Sequence, residues 1–190
     1  MAFECILLHR IVILTHWTFI QTSSTVSSSK RSLKTFFLTL TQRRPIMAEA
    51  KILIIDLGSQ YTLVIERTLR ELGYRSAVLS PGKAKDWIAD SKPKCIILSG
   101  GSDSIYDDNA PQPPAEILSL GIPILGICYG MHWLVTAFNG VIQSETQKRE
   151  YGKTAVNYFS DSPLLLGILG EHTAWASHGD SVKKLPPPTS

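Results

Sequence analysis

A cysteine at the end of an apolar stretch is the residue of this chain best placed to do chemistry. The stretch covers residues 122–131, and Cys128 lies in it between Gly126 and Gly130. The pattern predicts a buried strand, a tight turn and a helix over residues 131–138. Amides at the start of a helix favour a thiolate at the turn. Taken alone, the pattern is equally typical of an ordinary buried cysteine.

A cysteine nucleophile also needs hydrogen-bond donors for the oxyanion that forms when it attacks a carbonyl group. The amide of Tyr129 directly follows Cys128 and lies where such a donor is required. Gly101 can provide a second amide, because glycine permits unusual torsions and a close approach of the backbone. These two amides are the predicted oxyanion hole.

The base that would activate the thiol is less clear from the sequence. His132 lies one turn after Cys128 on the predicted helix, where we expect it to face solvent or to support the site indirectly. His178 is the other histidine to consider. It belongs to a predicted loop over residues 175–180, whose hydroxyl, imidazole and carboxylate groups suit the holding of a ligand.

The elements that would position these residues alternate between strand and helix. Short apolar runs predict strands, and positions at helical spacing predict the segments between them. Strands are expected at 51–56, 75–79 and 94–98 and in the opening stretch, and helices at 61–72, 85–89 and 115–120, with a polar loop over 103–114. This order predicts an α/β fold: a doubly wound, mostly parallel open sheet of the flavodoxin-like type, with helices on both faces.

In sheets of this type a ligand binds at the carboxyl ends of the strands. Three predicted strands end in glycine-bearing segments, at residues 56–58, 99–101 and 126–128. Because parallel strands end at one edge of the sheet, we expect these segments to lie together. Several glycines at that edge indicate a site where the backbone approaches a ligand closely.

Charge and composition limit the classes of protein that fit. Of the 190 residues, the first 46 carry a net charge of +5 and the remainder a net charge of −2, so the body does not suit nucleic acid. We expect residues 1–46 to be an unstructured or transit-like extension, or to precede a true start at Met47, and residues 47–190 to form one domain. The apolar run near the start is too short and too polar to span a membrane.

The three cysteines are too few and too scattered for a disulfide framework or a metal site. We therefore expect no structural metal and a reducing compartment. That compartment would be the cytoplasm, or an organelle if the first 46 residues are a transit peptide. Because the apolar run near the start is too short to span a bilayer, we also expect no membrane partner.

A rival interpretation concerns residues 99–104, which read Ser-Gly-Gly-Ser-Asp-Ser. This order matches the loop that grips pyrophosphate in ATP pyrophosphatases. Such a loop requires a helix directly behind it, so that helix amides meet the phosphates. The following residues, 105–111, do not have the pattern of a helix start.

Several segments together resemble the class I glutamine amidotransferases over residues 51–188. Residues 126–131 are similar to the nucleophile turn of that family, and residues 97–101 to its oxyanion strand. Three further segments resemble the branch formed by the amidotransferase domain of GMP synthase. They are Asp-Leu-Gly-Ser-Gln-Tyr at 56–61, Lys-Arg-Glu-Tyr-Gly at 148–152 and Ser-His-Gly-Asp at 177–180.

The resemblance implies that Cys128 attacks the side-chain amide of glutamine, forms a glutamyl thioester and releases ammonia. The amides of Gly101 and Tyr129 would hold the oxyanion. A separate synthetase domain or subunit would use the ammonia, with ATP and Mg as its cofactors, to aminate XMP to GMP, and the amidotransferase domain itself would need no cofactor. The residues that would contact glutamine are Gly58, Gly100, His132, Ser177, His178 and Asp180.

The sequence also departs from the family. Ser102 stands where the family has proline, and His132 where it commonly has glutamine. The family's catalytic His-Pro-Glu segment is expected a few tens of residues after the Ser-His-Gly-Asp segment, and the printed sequence ends first, at Ser190. Two alternatives therefore stand beside the enzyme: a non-catalytic glutamine-binding or regulatory module, and the amidotransferase subunit of another class I system such as anthranilate synthase.

One prediction concerns turnover by the 190-residue chain. Without the base and its orienting carboxylate the catalytic triad is incomplete. We therefore expect Cys128 to remain reactive, but the chain to show little or no glutaminase activity. Ammonia release from glutamine measures this directly. Full turnover that Cys128→Ala abolishes would contradict the prediction.

Overall fold

The fold is organised around one six-stranded sheet. The structure is a computed structural model and describes residues 2–3, 5–8, 11–14, 51–144, 150–158 and 170–187. After a short strand β1 (Ala2–Phe3), the sheet comprises β2 (Cys5–Leu8), β3 (Ile11–Leu14), β4 (Lys51–Ile55), β5 (Arg75–Leu79), β6 (Cys95–Leu98) and β7 (Ile124–Gly126). Its strand order is β2-β3-β7-β6-β4-β5, and only the β2–β3 pair is antiparallel. The mostly parallel open sheet is confirmed.

Helices cover both faces of this sheet, also as predicted. They are α1 (Thr62–Glu71), α2 (Pro81–Ser91), a 3₁₀ helix (Ala115–Ser119) and α3 (Tyr129–Ala137). Leu69 of α1 packs with Ile52 and Ile54 on one face. The buried residues of α2, the 3₁₀ helix and α3 pack with Leu53 and Ile55 on the other. The strands are apolar on both faces because both are covered.

Local sequence explains where the helices begin and end. Helix α1 stops where Gly73 adopts a φ of 85°, a torsion that glycine takes without strain. Helix α2 is longer than the predicted 85–89 and begins at Pro81. Proline is favourable at the first helical position, since its missing N–H would have no partner inside the helix there.

Two smaller sheets follow the central one in the chain. Strand β8 (Val141–Ser144) pairs antiparallel with β11 (Asp180–Lys184), while β9 (Glu150–Tyr158) pairs antiparallel with β10 (Gly170–His178) and parallel with β1. The predicted loop over 175–180 is wrong, because β10 continues to His178 and β11 begins at Asp180. The sequence around residues 175–180 lacks the apolar alternation by which strands are recognised.

Three short strands lie within residues 1–46, the segment that the sequence predicted to be an unstructured or transit-like extension. Strands β1, β2 and β3 lie within residues 2–14, and β3 pairs with β7. The rest of that predicted extension, together with the boundary at Met47, lies outside the described residues. Within the described ranges, no helix combines the length and the apolar character needed to cross a membrane.

Candidate active site

Cys128 lies at the strand-to-helix turn that the sequence predicted. Strand β7 ends at Gly126, and Cys128 directly precedes α3 with a φ of 49° and a ψ of −112°. A positive φ is unusual for a residue with a side chain and is found where the surrounding structure imposes it. The carbonyl of Cys128 accepts the His132 N–H at 2.9 Å, so the first turn of the helix begins at the cysteine itself.

The glycines on either side of Cys128 are required by space. A Cβ atom on Gly130 would lie 2.5 Å from the Cβ of Leu98 and 2.7 Å from its carbonyl oxygen. A Cβ atom on Gly126 would lie 2.8 Å from the carbonyl oxygen of Gly130. Helix α3 therefore packs directly on the end of β6, and this contact sets the direction in which the turn presents the thiol.

The three glycine-bearing strand ends meet, as expected. The buried hydroxyl of Ser99 accepts the Leu57 N–H at 2.9 Å and donates to the carbonyl of Gly100 at 2.9 Å. A Cβ atom on Gly100 would lie 3.4 Å from the Cβ of Cys128, and one on Gly101 would lie 2.5 Å from the carbonyl oxygen of Leu57. The ends of β4, β6 and β7 thus surround one point.

Backbone amides and burial act on the Cys128 thiol in opposite directions. Its pKa is raised above the usual cysteine value, chiefly because the half-buried thiol is desolvated. Hydrogen bonds from the backbone of Tyr129 and of Gly101 lower the pKa, and the negative charge of Asp180 raises it. The amides favour the thiolate as predicted, but burial outweighs them. The structure thus places both predicted oxyanion donors at the sulfur atom.

A segment after β6, residues 101–114, which we call the site loop, is attached to α3. The hydroxyl of Tyr129 donates to the carbonyl of Pro111 at 2.8 Å. The indole Nε1 of Trp133 donates to the side chain of Gln112 at 3.1 Å. Both donors lie on buried residues of the helix that directly follows Cys128, so the far end of the loop is fixed relative to the thiol.

The near end of the site loop is attached to the β8–β11 sheet. The hydroxyl of Tyr106 donates to the carbonyl of Ile142 at 2.7 Å, and the hydroxyl of Ser104 donates to the carboxylate of Asp180 at 2.7 Å. Sequence reasoning selected Asp180 but missed Ser104. A serine in a polar loop gives no signal of a partner that lies 76 positions away in the chain.

The other residues predicted to contact the ligand lie in different environments, exposed, buried or at the end of a strand. Gly58 is exposed with a φ of 93°, and its N–H donates to the Asp56 carboxylate at 3.1 Å. His132 is only 5% exposed, so the expectation that it could face solvent is wrong. Ser177 and His178 end strand β10, opposite residues of β9, and their side chains lie outside the described part.

The phosphate-loop interpretation of residues 99–104 does not fit the structure. The next helical segment after β6 is the 3₁₀ helix at Ala115–Ser119, which is too distant to present its first amides to a ligand in that loop. Gly100 and Gly101 instead pack against the turn that carries Cys128.

The fold and the site together define a class of α/β protein in which a cysteine is presented on a strand-to-helix turn beside two backbone amides. Comparison with known families agrees with this description. The family model of the class I glutamine amidotransferases matches residues 53–189. The chain belongs to this family.

Relatives within the family are similar to this chain over the same region. A GMP synthase [glutamine-hydrolyzing] of Prochlorococcus marinus is 46% identical over 138 residues, and one of Treponema denticola is 43% identical over 136 residues. These matches cover 73% and 72% of this chain. The chain spans about a quarter of the length of either relative, 26% in both cases.

Two solved structures have the same fold. A Thermoplasma acidophilum protein, described as a candidate GMP synthase subunit, superposes with a TM-score of 0.59 at 27% identity, covering 73% of this chain and 69% of that one. A glutamine amidotransferase from Thermotoga maritima gives a TM-score of 0.58 at 24% identity, covering 73% of this chain and 64% of that one.

Proposed function

We propose that this chain is the glutamine amidotransferase part of a GMP synthase, with Cys128 as its nucleophile. The observation that carries the proposal is the meeting of two backbone amides, those of Gly101 and Tyr129, at the sulfur atom of a cysteine held on a strained turn. Donors in that arrangement stabilise a negative oxygen that develops as the sulfur attacks a carbonyl carbon.

The reaction follows from the position of the sulfur. The Cys128 sulfur forms a bond to the amide carbon of glutamine, and the carbonyl oxygen takes up negative charge between the two amides. The C–N bond then breaks, and the nitrogen takes up a proton to leave as ammonia. Water replaces the sulfur at the thioester and gives glutamate, so that the thiol is regenerated.

Recognition of glutamine would fall to the residues around this point. Gly100 lies beside Cys128, since a Cβ atom there would be 3.4 Å from the Cys128 Cβ, and it is proposed as a backbone contact of the substrate. We propose that the Asp180 carboxylate, whose negative charge raises the Cys128 pKa, receives the ammonium group of glutamine. Gly58, His132, Ser177 and His178 remain proposed contacts on the strength of the family resemblance.

The larger protein is proposed from the relatives rather than from the site. Because GMP synthases are about four times as long as the matched region, we propose a synthetase domain or subunit as the partner. It would use ATP and Mg, receive the ammonia and aminate XMP to GMP, in the cytoplasm. The amidotransferase part would need no cofactor for glutamine hydrolysis.

The test uses a chloromethyl ketone analogue of glutamine, from which the thiolate displaces chloride. We expect stoichiometric labelling at Cys128, mapped by peptide mass, and slower labelling when glutamine is present. Asparagine at the same concentration should protect much less, since its amide is one methylene nearer to the amino group. Cys128→Ser is the blank for the site of labelling.

Two outcomes would contradict the proposal. Labelling of Cys95 or Cys5 in preference to Cys128 would contradict the assignment of Cys128 as the nucleophile. Binding of glutamine to a chain whose Cys128 the ketone does not modify would instead support the non-catalytic glutamine-binding module.

A further inference from the structure

The carboxylate of Asp180 is held by a residue that lies outside every segment resembling the family. Ser104, on the site loop, donates its hydroxyl hydrogen to the Asp180 Oδ2 atom at 2.7 Å. The backbone N–H of Tyr106 points to the same Ser104 oxygen at 3.4 Å. Since the oxygen already faces a donor on that side, its single hydrogen is directed to the carboxylate.

The loop around Ser104 is itself fixed in place. The Ser104 N–H donates to the Asp107 carboxylate at 2.7 Å, which closes a tight turn. The Tyr106 hydroxyl donates to the Ile142 carbonyl at 2.7 Å. Ile142 belongs to β8, and β8 pairs with β11, the strand that Asp180 begins. The loop and the carboxylate are therefore attached to the same two strands.

We propose that Ser104 is a positioning residue for glutamine recognition: its hydroxyl fixes the Asp180 carboxylate in the orientation that receives the substrate's ammonium group. The inference deepens the proposed function and rests on it. An aspartate at the first position of a strand has free rotation about its side-chain bonds unless a partner holds it. Hydrogen bonds to a charged group are among the stronger ones in proteins, so this contact selects one orientation of the carboxylate.

The same contact gives the site loop a role in specificity. One end of the loop is bound to the helix that starts at Cys128, through Tyr129 and Trp133. The other end holds the carboxylate through Ser104. The site loop thus sets the distance between the Cys128 sulfur and the Asp180 carboxylate. That distance determines which length of amino acid can place its amide at the sulfur and its ammonium group at the carboxylate.

The experiment compares two reagents on the unaltered full chain and on four variants of it. One reagent is the chloromethyl ketone analogue of glutamine, and the other is the same ketone without its amino group. For Ser104→Ala we expect labelling of Cys128 by the first reagent to slow about tenfold, in line with the loss of one charge-assisted hydrogen bond, and labelling by the second to stay within about twofold. Ser104→Thr keeps the hydroxyl and should restore most of the rate.

Ser102→Ala is the matched control, because Ser102 is an exposed serine of the same loop that bonds only to its neighbour Asp103 among the described contacts. It should leave both rates unchanged. Equal slowing of both reagents in Ser104→Ala, or no rescue by threonine, would show a merely structural role and overturn the inference. If Asp180→Asn loses the preference for the amino reagent while Ser104→Ala keeps it, the proposed function stands and the positioning role fails. If neither reagent labels Cys128 in the unaltered chain, the proposed function itself fails.

Discussion

Gly130→Ala is expected to reduce the free energy of unfolding by about 3 kcal/mol or more, the upper part of the range for an overpacked core. Intrinsic helix propensity alone would give the opposite sign, since alanine in a helix is favoured over glycine by about 1 kcal/mol. The added methyl group would meet the Cβ and the carbonyl oxygen of Leu98 at 2.5 and 2.7 Å, and the carbonyl oxygen of Ser99 at 2.8 Å. Two of these three atoms are backbone and cannot rotate away.

Urea unfolding followed by circular dichroism measures this loss, and Gly82→Ala is its matched control. Gly82 also lies in a helix, but a Cβ atom there would meet nothing within 4 Å. That variant should be unchanged or more stable by up to about 1 kcal/mol. Equal stability of the two variants would mean that α3 does not rest on the end of β6. Because the same contact directs the thiol, any folded Gly130→Ala protein should also label poorly at Cys128.

Asp180→Asn is expected to change the reactivity of Cys128 in opposite directions for charged and neutral reagents. Removing the carboxylate leaves the ammonium group of the glutamine analogue without its counter-charge, and loss of one partner of such a pair costs about 2–5 kcal/mol. Labelling by the amino ketone should therefore slow about a hundredfold. The same substitution removes a negative charge that raises the Cys128 pKa. Iodoacetamide, which is neutral, should accordingly react faster at a given pH below that pKa.

The pH profile of the iodoacetamide reaction shows in which direction Asp180→Asn changes the Cys128 pKa. The thiolate is the reactive form, so the rate rises with pH until the pH exceeds the thiol's pKa. Burial raises that pKa in the unaltered chain, which puts the midpoint above the usual cysteine value of 9.0. The midpoint for Asp180→Asn should lie lower, because the contribution of the carboxylate is gone. An unchanged midpoint, or slower labelling by both reagents, would mean that Asp180 does not face the thiol.

The central sheet could be predicted because short runs of neighbouring residues are enough to indicate its buried strands. Runs such as Ile52 to Ile55 are apolar at every position, as strands covered on both sides must be. The glycines at 126 and 130 bracket the cysteine within a few residues, so the nucleophile turn is also encoded locally. The meeting of three strand ends then follows from the geometry of parallel sheets.

The contacts of the site loop could not be predicted in the same way. Ser104 and Asp180 are neighbours only because β11 pairs with β8 and the loop crosses to them, which no periodicity encodes. The burial of His132 was missed for a related reason: the buried residues of α3 run without a break from Tyr129 to Val135, and a helix covered all round has no pattern of faces. The pKa of Cys128 depends on a balance between desolvation of the thiol and hydrogen bonds from backbone amides. Only the three-dimensional structure shows which of the two is larger.

The groups that act on the Cys128 sulfur are largely main-chain groups, and this has a consequence for engineering. The amides of Gly101 and Tyr129 are present whatever side chain stands there, provided that the backbone keeps its path. The sequence constraint at this part of the site is therefore one of volume. Under the proposed function, substrate preference instead rests on side chains of the site loop and of β11. A designer seeking a different amide substrate would leave the glycine-lined ends of β6 and β7 alone and vary the loop, since reactivity and selectivity are carried by separate segments of the chain.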